Sequence, residues 1–234
     1  MDYQDIYQTL AAAAVRGHAL RTPGCILPEA LAEKAPADLT QTERTEILEF
    51  GDAWGVKLYR FKRGHETLPR VKQVLGFLRG VYPERLLDVG SGRGVFLFPF
   101  LDAFPCAEVV SLDLLDYRVA FLEDMRRGGI ERLHPIQADI CALPPEENSV
   151  DAVTLLEVLE HIPDVQAAVT AAVRSARRYV VVSVPSKPDD NPEHIHLLTK
   201  PVLTELFHNA GCGRLHFGGV PGHLVLVAAV SREE

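Results

Sequence analysis

The sequence predicts an α/β fold with a mostly parallel β-sheet, helices on both of its faces, and a helical addition at the N-terminus. From Arg85 onward, short apolar segments alternate with helical segments, and parallel strands need such crossovers. The apolar run 86–89 leads directly into glycines at positions 90, 92 and 94, as a buried strand leads into a tight loop. The turn at 218–222 is rich in glycine and proline, and it predicts a hairpin that reverses the final strand.

Residues 1–80 are predicted to form a helical cap that shapes access for a substrate, and residues 81–234 the sheet-containing core. Thr40 and Glu43 have the spacing of a capping box, and Pro69 is a favourable first residue of a helix. The predicted helices of this first part are Ile6 to Leu20, Pro28 to Lys34, one after Thr40, and Pro69 to Gly80.

The core is predicted to contain seven strands, of which the last is antiparallel to the others. The predicted strands are Arg85 to Val89, Glu108 to Asp113, Leu133 to Ala138, Val150 to Leu155, Tyr179 to Val184, Arg214 to Phe217, and Leu224 to Val230. The predicted helices between them are Val95 to Ala103, Asp116 to Arg127, Val165 to Ala176, and Pro201 to Ala210.

The motif D-x-G-x-G-x-G at 88–94 resembles the cofactor loop of class I S-adenosylmethionine (SAM) methyltransferases. That family has a Rossmann-like sheet that ends in a reversed strand, and the resemblance covers about 69–230. A dinucleotide fingerprint would have its third glycine at position 95, where this chain has Val95. The resemblance implies that SAM is the cofactor and that its methionine part contacts this loop, with the residues Asp88, Gly90, Ser91, Gly92 and Gly94.

Acidic residues recur at the predicted ends of the next strands, where ligands bind in open α/β sheets. Asp113 ends the second strand, Asp139 follows the third, and Glu157 follows the fourth. By the resemblance, Asp113 binds the ribose hydroxyls, while Asp139 and Ile140 contact the adenine. Leu114 and Glu157 complete the predicted cofactor pocket. Carboxylates also cap helices after strands in any α/β protein, so the prediction depends on their regular recurrence after a glycine loop.

The run EVLEH at 157–161 resembles a segment of the ubiquinone-biosynthesis O-methyltransferases. A similar run forms a metal site in the small-RNA 2′-O-methyltransferases. In a helical turn, Glu157, Glu160 and His161 would lie at i, i+3 and i+4 and share one face.

Three interpretations of this run are open. In the first, Glu157, Glu160 and His161 bind Mg²⁺, Mn²⁺, Fe²⁺ or Zn²⁺ together with His194 or His196, and the ion lowers the pKa of an acceptor hydroxyl. In the second, His161 or His196 acts as a metal-free catalytic base. In the third, these residues only hold their loops in place.

Composition and charge limit the cellular location and the partners. No apolar run approaches the roughly 20 residues of a membrane span, and no signal peptide is evident, so we expect a cytoplasmic location. The four cysteines form no C-x-x-C pair and are expected to be free thiols. A formal net charge of −8 argues against nucleic acid as a partner. The basic stretch 57–72 is interpreted as a solvated face rather than a site for an anionic substrate.

The sequence therefore predicts a SAM-dependent methyltransferase that acts on a small molecule, at oxygen in preference to carbon. The aromatic residues of the stretch 54–65 are expected over the pocket mouth or in ordinary packing. The alternatives are an enzyme like the RNA 2′-O-methyltransferases, a nicotinamide-dependent oxidoreductase, and a non-catalytic SAM-binding module. The acidic segment 189–193 would repel a phosphate backbone and argues against the RNA alternative.

Overall fold

The computed structural model describes residues 6–143, 149–188 and 190–230, and its centre is one seven-stranded sheet. The strands are β1 (Arg85–Val89), β2 (Glu108–Asp113), β3 (Leu133–Gln137), β4 (Val150–Leu156), β5 (Ala176–Pro185), β6 (Arg214–Val220) and β7 (His223–Ala229). Their order across the sheet is β3-β2-β1-β4-β5-β7-β6. Strands β1 to β5 pair in parallel, and β7 is antiparallel to both β5 and β6. The predicted mostly parallel sheet with one reversed C-terminal strand is confirmed.

Helices cover both faces of the sheet, as predicted. The helices are α1 (Ile6–Arg21), α2 (Glu29–Ala32), α3 (Gln41–Ala53), α4 (Pro69–Val81), α5 (Leu97–Ala103), α6 (Asp116–Arg127), α7 (Val165–Ser175) and α8 (Lys200–Asn209). Strand β1 illustrates the layering, because Leu86 packs in one apolar cluster with α1, α4, α5 and α6, and Leu87 packs in another with α7 and α8. A strand buried on both faces needs consecutive apolar residues, which explains the continuous apolar runs of this chain.

The N-terminal helix α1 packs closely against α6 through two glycines. A Cβ on Gly17 would lie 1.7 Å from the carbonyl oxygen of Asp124, and one on Gly128 would lie 1.8 Å from that of Ala13. At the end of α1, the guanidinium of Arg21 donates two hydrogen bonds, of 2.7 and 2.8 Å, to the buried Asp124 carboxylate. Helix α1 therefore shares an apolar core with the sheet, while the boundary at residue 80 stays a prediction.

Several element boundaries differ from the predicted ones. Helix α5 begins at Leu97 and not at residue 95, because the glycine loop continues before the chain turns into a helix. Strands β6 and β7 extend into the predicted turn and leave only positions 221 and 222 between them. Gly218 suits this extension because a Cβ there would lie 2.2 Å from the side-chain nitrogen of Gln73 on α4. The glycine thus allows a helix to approach the sheet and does not terminate the strand.

The described residues contain no helix that is long and apolar enough to cross a membrane. All four cysteines are free, as expected, at positions 25, 106, 141 and 212.

Candidate active site

The glycine loop follows β1 and forms a cleft at the carboxyl ends of the parallel strands. Gly90, Gly92 and Gly94 have φ angles of 68°, 58° and 83°, a region that side chains rarely adopt. A Cβ on Gly90 would lie 2.6 Å from the Val158 side chain, and one on Gly94 would lie 2.4 Å from the Phe98 ring. A Cβ on Gly92 would meet no atom closer than 3.6 Å. Gly92 is therefore the glycine that leaves main chain open to a ligand.

The cleft beside this loop is lined by two arginines, two acidic residues, and several apolar residues. Its lining residues are Arg70, Val71, Asp88, Gly90, Ser91, Gly92, Arg93, Val95, Phe96, Leu156 and Glu157. The first part of the chain thus contributes Arg70 and Val71 from α4. Within the stretch expected over the mouth, Phe61 is buried and stacks on Phe98 with ring centroids 5.0 Å apart.

A buried polar network supports the loop from below. The carboxylate of Asp88 accepts hydrogen bonds of 2.7 Å from the hydroxyls of Ser91 and Thr154. Ser111 on β2 donates a 2.6 Å hydrogen bond to Ser91. Burial raises the pKa of Asp88 to about 6, although the two hydroxyl donors lower it and nearby Asp113 raises it further. Asp88 therefore positions Ser91 in the loop, a role that the motif alone does not specify.

The Asp113 carboxylate connects the end of β2 to the glycine loop. Its Oδ2 accepts a 3.0 Å hydrogen bond from the Gly92 N–H, and its Oδ1 accepts one of 3.1 Å from the Leu115 N–H. Arg118 on α6 lies 3.4 Å from the same Oδ2. Asp113 is buried. Its contact with ribose stays a prediction, and its contacts in the protein give it a second role in holding the loop.

The predicted adenine end lies at the carboxyl ends of β2 and β3. Asp139 accepts a 2.9 Å hydrogen bond from the Cys141 N–H and so caps the short 3₁₀ helix Ile140–Ala142. This cap is the structural role that the sequence left open for such a carboxylate. Ile140 is 3% exposed and packs in the core, whereas Leu114 is 60% exposed. Leu114 therefore offers the larger apolar surface to a planar base at this rim.

Glu157 does not share a helical face with Glu160 and His161, so this sequence expectation is wrong. Glu157 has a left-handed φ of 58°, and its N–H bonds to the carbonyl oxygen of Ser183 on β5 at 2.9 Å. The 3₁₀ turn that follows contains only Leu159–His161. The Glu157 side chain accepts a 2.7 Å hydrogen bond from the Ser183 hydroxyl, and its Oε2 lies 3.1 Å from Nδ1 of His223.

Three of the predicted metal ligands do come together. Glu160, His161 and His194 each offer a ligand atom within 4.8 Å of the others, and this set excludes Glu157 and His196. Glu160 is 1% exposed. Its carbonyl oxygen accepts hydrogen bonds from the backbone of residue 195 at 2.9 Å and of His196 at 3.3 Å. These backbone hydrogen bonds hold the segment 194–196 against the 3₁₀ turn Leu159–His161.

His161 and His196 differ in their surroundings. His161 Nδ1 lies 2.9 Å from the carbonyl oxygen of Glu193. Since a carbonyl only accepts, Nδ1 carries the proton and the other ring nitrogen, Nε2, is left with a free lone pair. His196 Nε2 is buried and has no hydrogen-bond partner among the described residues. The catalytic roles expected for both histidines stay predictions.

The sequence analysis did not place His223 in this region. It begins β7, 66 positions after Glu157, and it follows the hairpin turn. A reversed last strand begins where its parallel neighbour ends, so the predicted topology contained the signal that could have located it.

Comparison with known proteins shows similarity to methyltransferases. A family model described as a methyltransferase domain matches residues 87–182. The chain is 25% identical over 158 residues to a ubiquinone biosynthesis O-methyltransferase of Cupriavidus pinatubonensis, an alignment that covers 68% of this chain and 63% of that protein. It is 33% identical over 113 residues to a ubiquinone/menaquinone biosynthesis C-methyltransferase of Dinoroseobacter shibae, covering 45% of this chain and 44% of that protein.

A solved structure gives the same fold. The magnesium protoporphyrin IX methyltransferase of Synechocystis PCC 6803, solved with bound S-adenosylhomocysteine (SAH), superposes on this chain with a TM-score of 0.54. The two chains are 16% identical, and the superposition covers 71% of this chain and 83% of that one. The chain spans less than two thirds of the length of the two curated relatives above. The family match includes the glycine loop and most of the parallel strands, so residues 87–182 match a methyltransferase domain, and the chain as a whole is similar in fold to the class I SAM-dependent methyltransferases.

Proposed function

We propose that this chain binds SAM in the glycine-loop cleft and transfers its methyl group to an oxygen atom of a small-molecule acceptor. The observation that carries the proposal is the open space beside Gly92, where a Cβ would meet no atom closer than 3.6 Å, in a loop held by a 3.0 Å hydrogen bond from the Gly92 N–H to the Asp113 carboxylate. Glycine permits close approach of a ligand to the main chain, and ligands bind at the carboxyl edge of open α/β sheets, where this loop lies.

The residues present fit the chemical groups of SAM. Arg70 and Arg93 line the cleft and offer guanidinium groups to the carboxylate of the methionine part. The exposed Leu114, directly after β2, offers an apolar surface to the adenine. Asp139 follows the neighbouring parallel strand β3 at the same edge of the sheet and fits the adenine amino group. Asp113 fits the ribose hydroxyls from the end of β2.

Methyl transfer requires alignment more than bond activation. SAM, when bound, supplies a methyl group on a sulfonium that is already a good leaving group. The chain's part is to fix the position of that methyl, to align the acceptor in line with it, and to exclude water, and proximity of this kind can supply about 7–11 kcal/mol of the barrier. An acceptor hydroxyl must also lose a proton, which a base or a metal ion assists.

The acidic and imidazole groups near the strand ends support an oxygen acceptor. Carbon acceptors also occur among similar proteins, since one relative above is named as an O-methyltransferase and the other as a C-methyltransferase. Glu160, His161 and His194 can hold a divalent ion, because one carboxylate and two imidazoles suit Mn²⁺, Fe²⁺ or Zn²⁺. The hydrogen bond from His161 Nδ1 to Glu193 leaves Nε2 available as the ligand atom. Such an ion would lower the pKa of an acceptor hydroxyl.

Calorimetry with SAH and with NAD tests the cofactor assignment. We expect SAH to bind with a dissociation constant in the micromolar range, about −8 kcal/mol, and NAD not to bind. SAM is then supplied with a panel of catechols and other phenols, with a short RNA as the contrast. Absence of SAH binding would remove the whole proposal, while SAH binding with a product that carries the methyl group on carbon would remove the oxygen acceptor.

The metal assignment is tested separately with Mn²⁺. We expect one Mn²⁺ per chain by electron paramagnetic resonance. The variant His194→Ala should weaken binding at least about tenfold, as loss of groups at metal sites typically does. His208 is an exposed histidine on α8 outside the cluster, so His208→Ala is the matched control and should bind Mn²⁺ normally. Equal Mn²⁺ affinity of the wild type and His194→Ala would contradict this site.

A further inference from the structure

A second acid–imidazole pair lies next to the glycine-loop cleft, apart from the cluster around Glu160. Glu157 lines the cleft, and its Oε2 lies 3.1 Å from Nδ1 of His223. That Nδ1 is buried and makes no hydrogen bond of good geometry to the residues that the structure describes, and the Glu157 carboxylate is the acceptor that lies within 3.1 Å of it. Each of the two side chains is 24% exposed. The pair is therefore half-buried at the edge of the cleft.

The sheet register brings His223 to this place. His223 is the first residue of β7 and pairs with Pro185, the last residue of β5. The N–H of residue 186 also donates a 3.0 Å hydrogen bond to the carbonyl oxygen of Gly222. Because β5 is parallel to β4, the end of β5 lies at the same edge as Glu157.

The backbone of Glu157 is held in an uncommon conformation that directs its side chain toward His223. A left-handed φ is rare for a residue with a long side chain, and such residues cluster at functional sites. The buried Ser183 hydroxyl holds the other carboxylate oxygen at 2.7 Å. Glu157 is thus fixed at both oxygens, with one of them presented to His223.

We infer that His223 is the catalytic base of this site and that Glu157 orients it. A carboxylate only accepts hydrogen bonds, so it selects the tautomer with the proton on Nδ1, and Nε2 is left with a lone pair. Nε2 is not among the buried unpartnered atoms of the described residues, so it is accessible to solvent, next to the Glu157 carboxylate that lines the cleft. This inference rests on the proposed methyl transfer and assigns a residue to its proton-transfer step.

The proton-transfer step balances without a further reactant. The acceptor O–H gives its proton to Nε2 of His223 while the oxygen lone pair forms a bond to the methyl carbon of SAM. The S–CH₃ bond breaks and its electron pair stays on sulfur, which leaves neutral SAH. The imidazolium is stabilised by Glu157 and releases its proton to solvent before the next turnover.

The neighbouring elements also carry charged groups. Glu157 comes from the end of β4 and contacts His223 directly. Arg70 of α4 lines the same cleft, and Lys187 follows the end of β5. The Glu157 carboxylate is the charged group in direct contact with the imidazole, so its removal should release the ring from the Nδ1–H tautomer.

The first test does not depend on knowing the acceptor. In the SAH-bound protein, ring ¹⁵N shifts of His223 near pH 7.5 should show the Nδ1–H tautomer, and Glu157→Gln should change that tautomer balance. Observation of the Nε2–H tautomer in the wild type would overturn the inference, because that nitrogen could then take no proton.

The second test uses the best phenol found for the wild type. His223→Gln should lower kcat at least about 100-fold, should remove the acid limb of the pH–rate profile, and should leave SAH affinity within about twofold. His208→Gln is the matched control and should behave as the wild type. A His223→Gln variant that binds SAH and retains wild-type kcat overturns the inference while the methyltransferase proposal stands. A wild type that fails to bind SAH overturns both.

Discussion

Replacing Asp113 by alanine should weaken SAH binding and also lower the stability of the free protein. The change removes the acceptor for the N–H groups of Gly92 and Leu115, and it removes the partner of Arg118. A hydrogen bond to a charged group contributes about 1.5–3 kcal/mol when its partner cannot be replaced. Leu115 is 40% exposed, so water can replace its acceptor. The loss in unfolding free energy should therefore come mainly from Gly92, at about 2 kcal/mol.

The effect on the ligand should be at least tenfold, or about 1.4 kcal/mol. In Asp113→Ala the freed Gly92 must be reordered on binding, and the predicted ribose acceptor is missing. Asp113→Asn keeps one acceptor oxygen and should lie between the wild type and Asp113→Ala. Asp116 is the matched control, because it is an exposed aspartate three residues away whose carboxylate accepts a hydrogen bond from the N–H of residue 117.

Calorimetry with SAH and urea unfolding of each variant measure the two effects separately. A folded Asp113→Ala variant that binds SAH within twofold of the wild type would show that neither the loop contact nor the ribose contact matters. If Asp113→Ala and Asp116→Ala lost the same SAH affinity, the effect would not be specific to the Asp113 contacts.

Two further predictions concern stability. Burial raises the pKa of Asp88 from 3.8 to about 6, so the native state binds this proton more readily than the unfolded chain. On this account unfolding free energy should rise by up to about 3 kcal/mol as pH falls from 7 to 4, and Asp88→Asn should lose that rise in urea titrations. Gly17→Ala should lower the melting temperature by several degrees, because the new Cβ would lie 1.7 Å from a backbone oxygen. Gly76→Ala, on the open face of α4, is the control and should leave the unfolding free energy unchanged or raise it by up to about 1 kcal/mol. A melting temperature of Gly17→Ala equal to that of Gly76→Ala would contradict the close packing of α1 on α6.

The core of the fold could be predicted because its signals are local. Apolar runs alternate with helical runs, the glycine loop lies at 88–94, and the last hairpin lies within the continuous segment 214–229. The docking of α1 could not be predicted in this way. It depends on Gly17 meeting α6 and on Gly128 meeting α1, and a single glycine in a helical segment reads only as a weak helix former.

The site could be predicted only in part, and one backbone angle explains the main error. The spacing of Glu157, Glu160 and His161 suggests a shared face only if the chain is helical from the first of them. A φ of 58° at Glu157 turns its side chain toward β5 and β7, and the 3₁₀ turn begins two residues later. Glu160 and His161 therefore lie close to His194, whereas Glu157 contacts His223.

The direction of the last strand decides which residue that histidine can be. Because β7 runs antiparallel to β5, its first residue, His223, pairs with the last residue of β5 at the edge where the glycine loop opens. If β7 ran parallel, as in a plain dinucleotide-binding sheet, its last residue, Ala229, would occupy that edge and His223 would lie at the opposite end. The reversed strand therefore does more than close the sheet. It presents the start of a hairpin strand to the ligand edge, and in this chain that position carries an imidazole facing a fixed carboxylate.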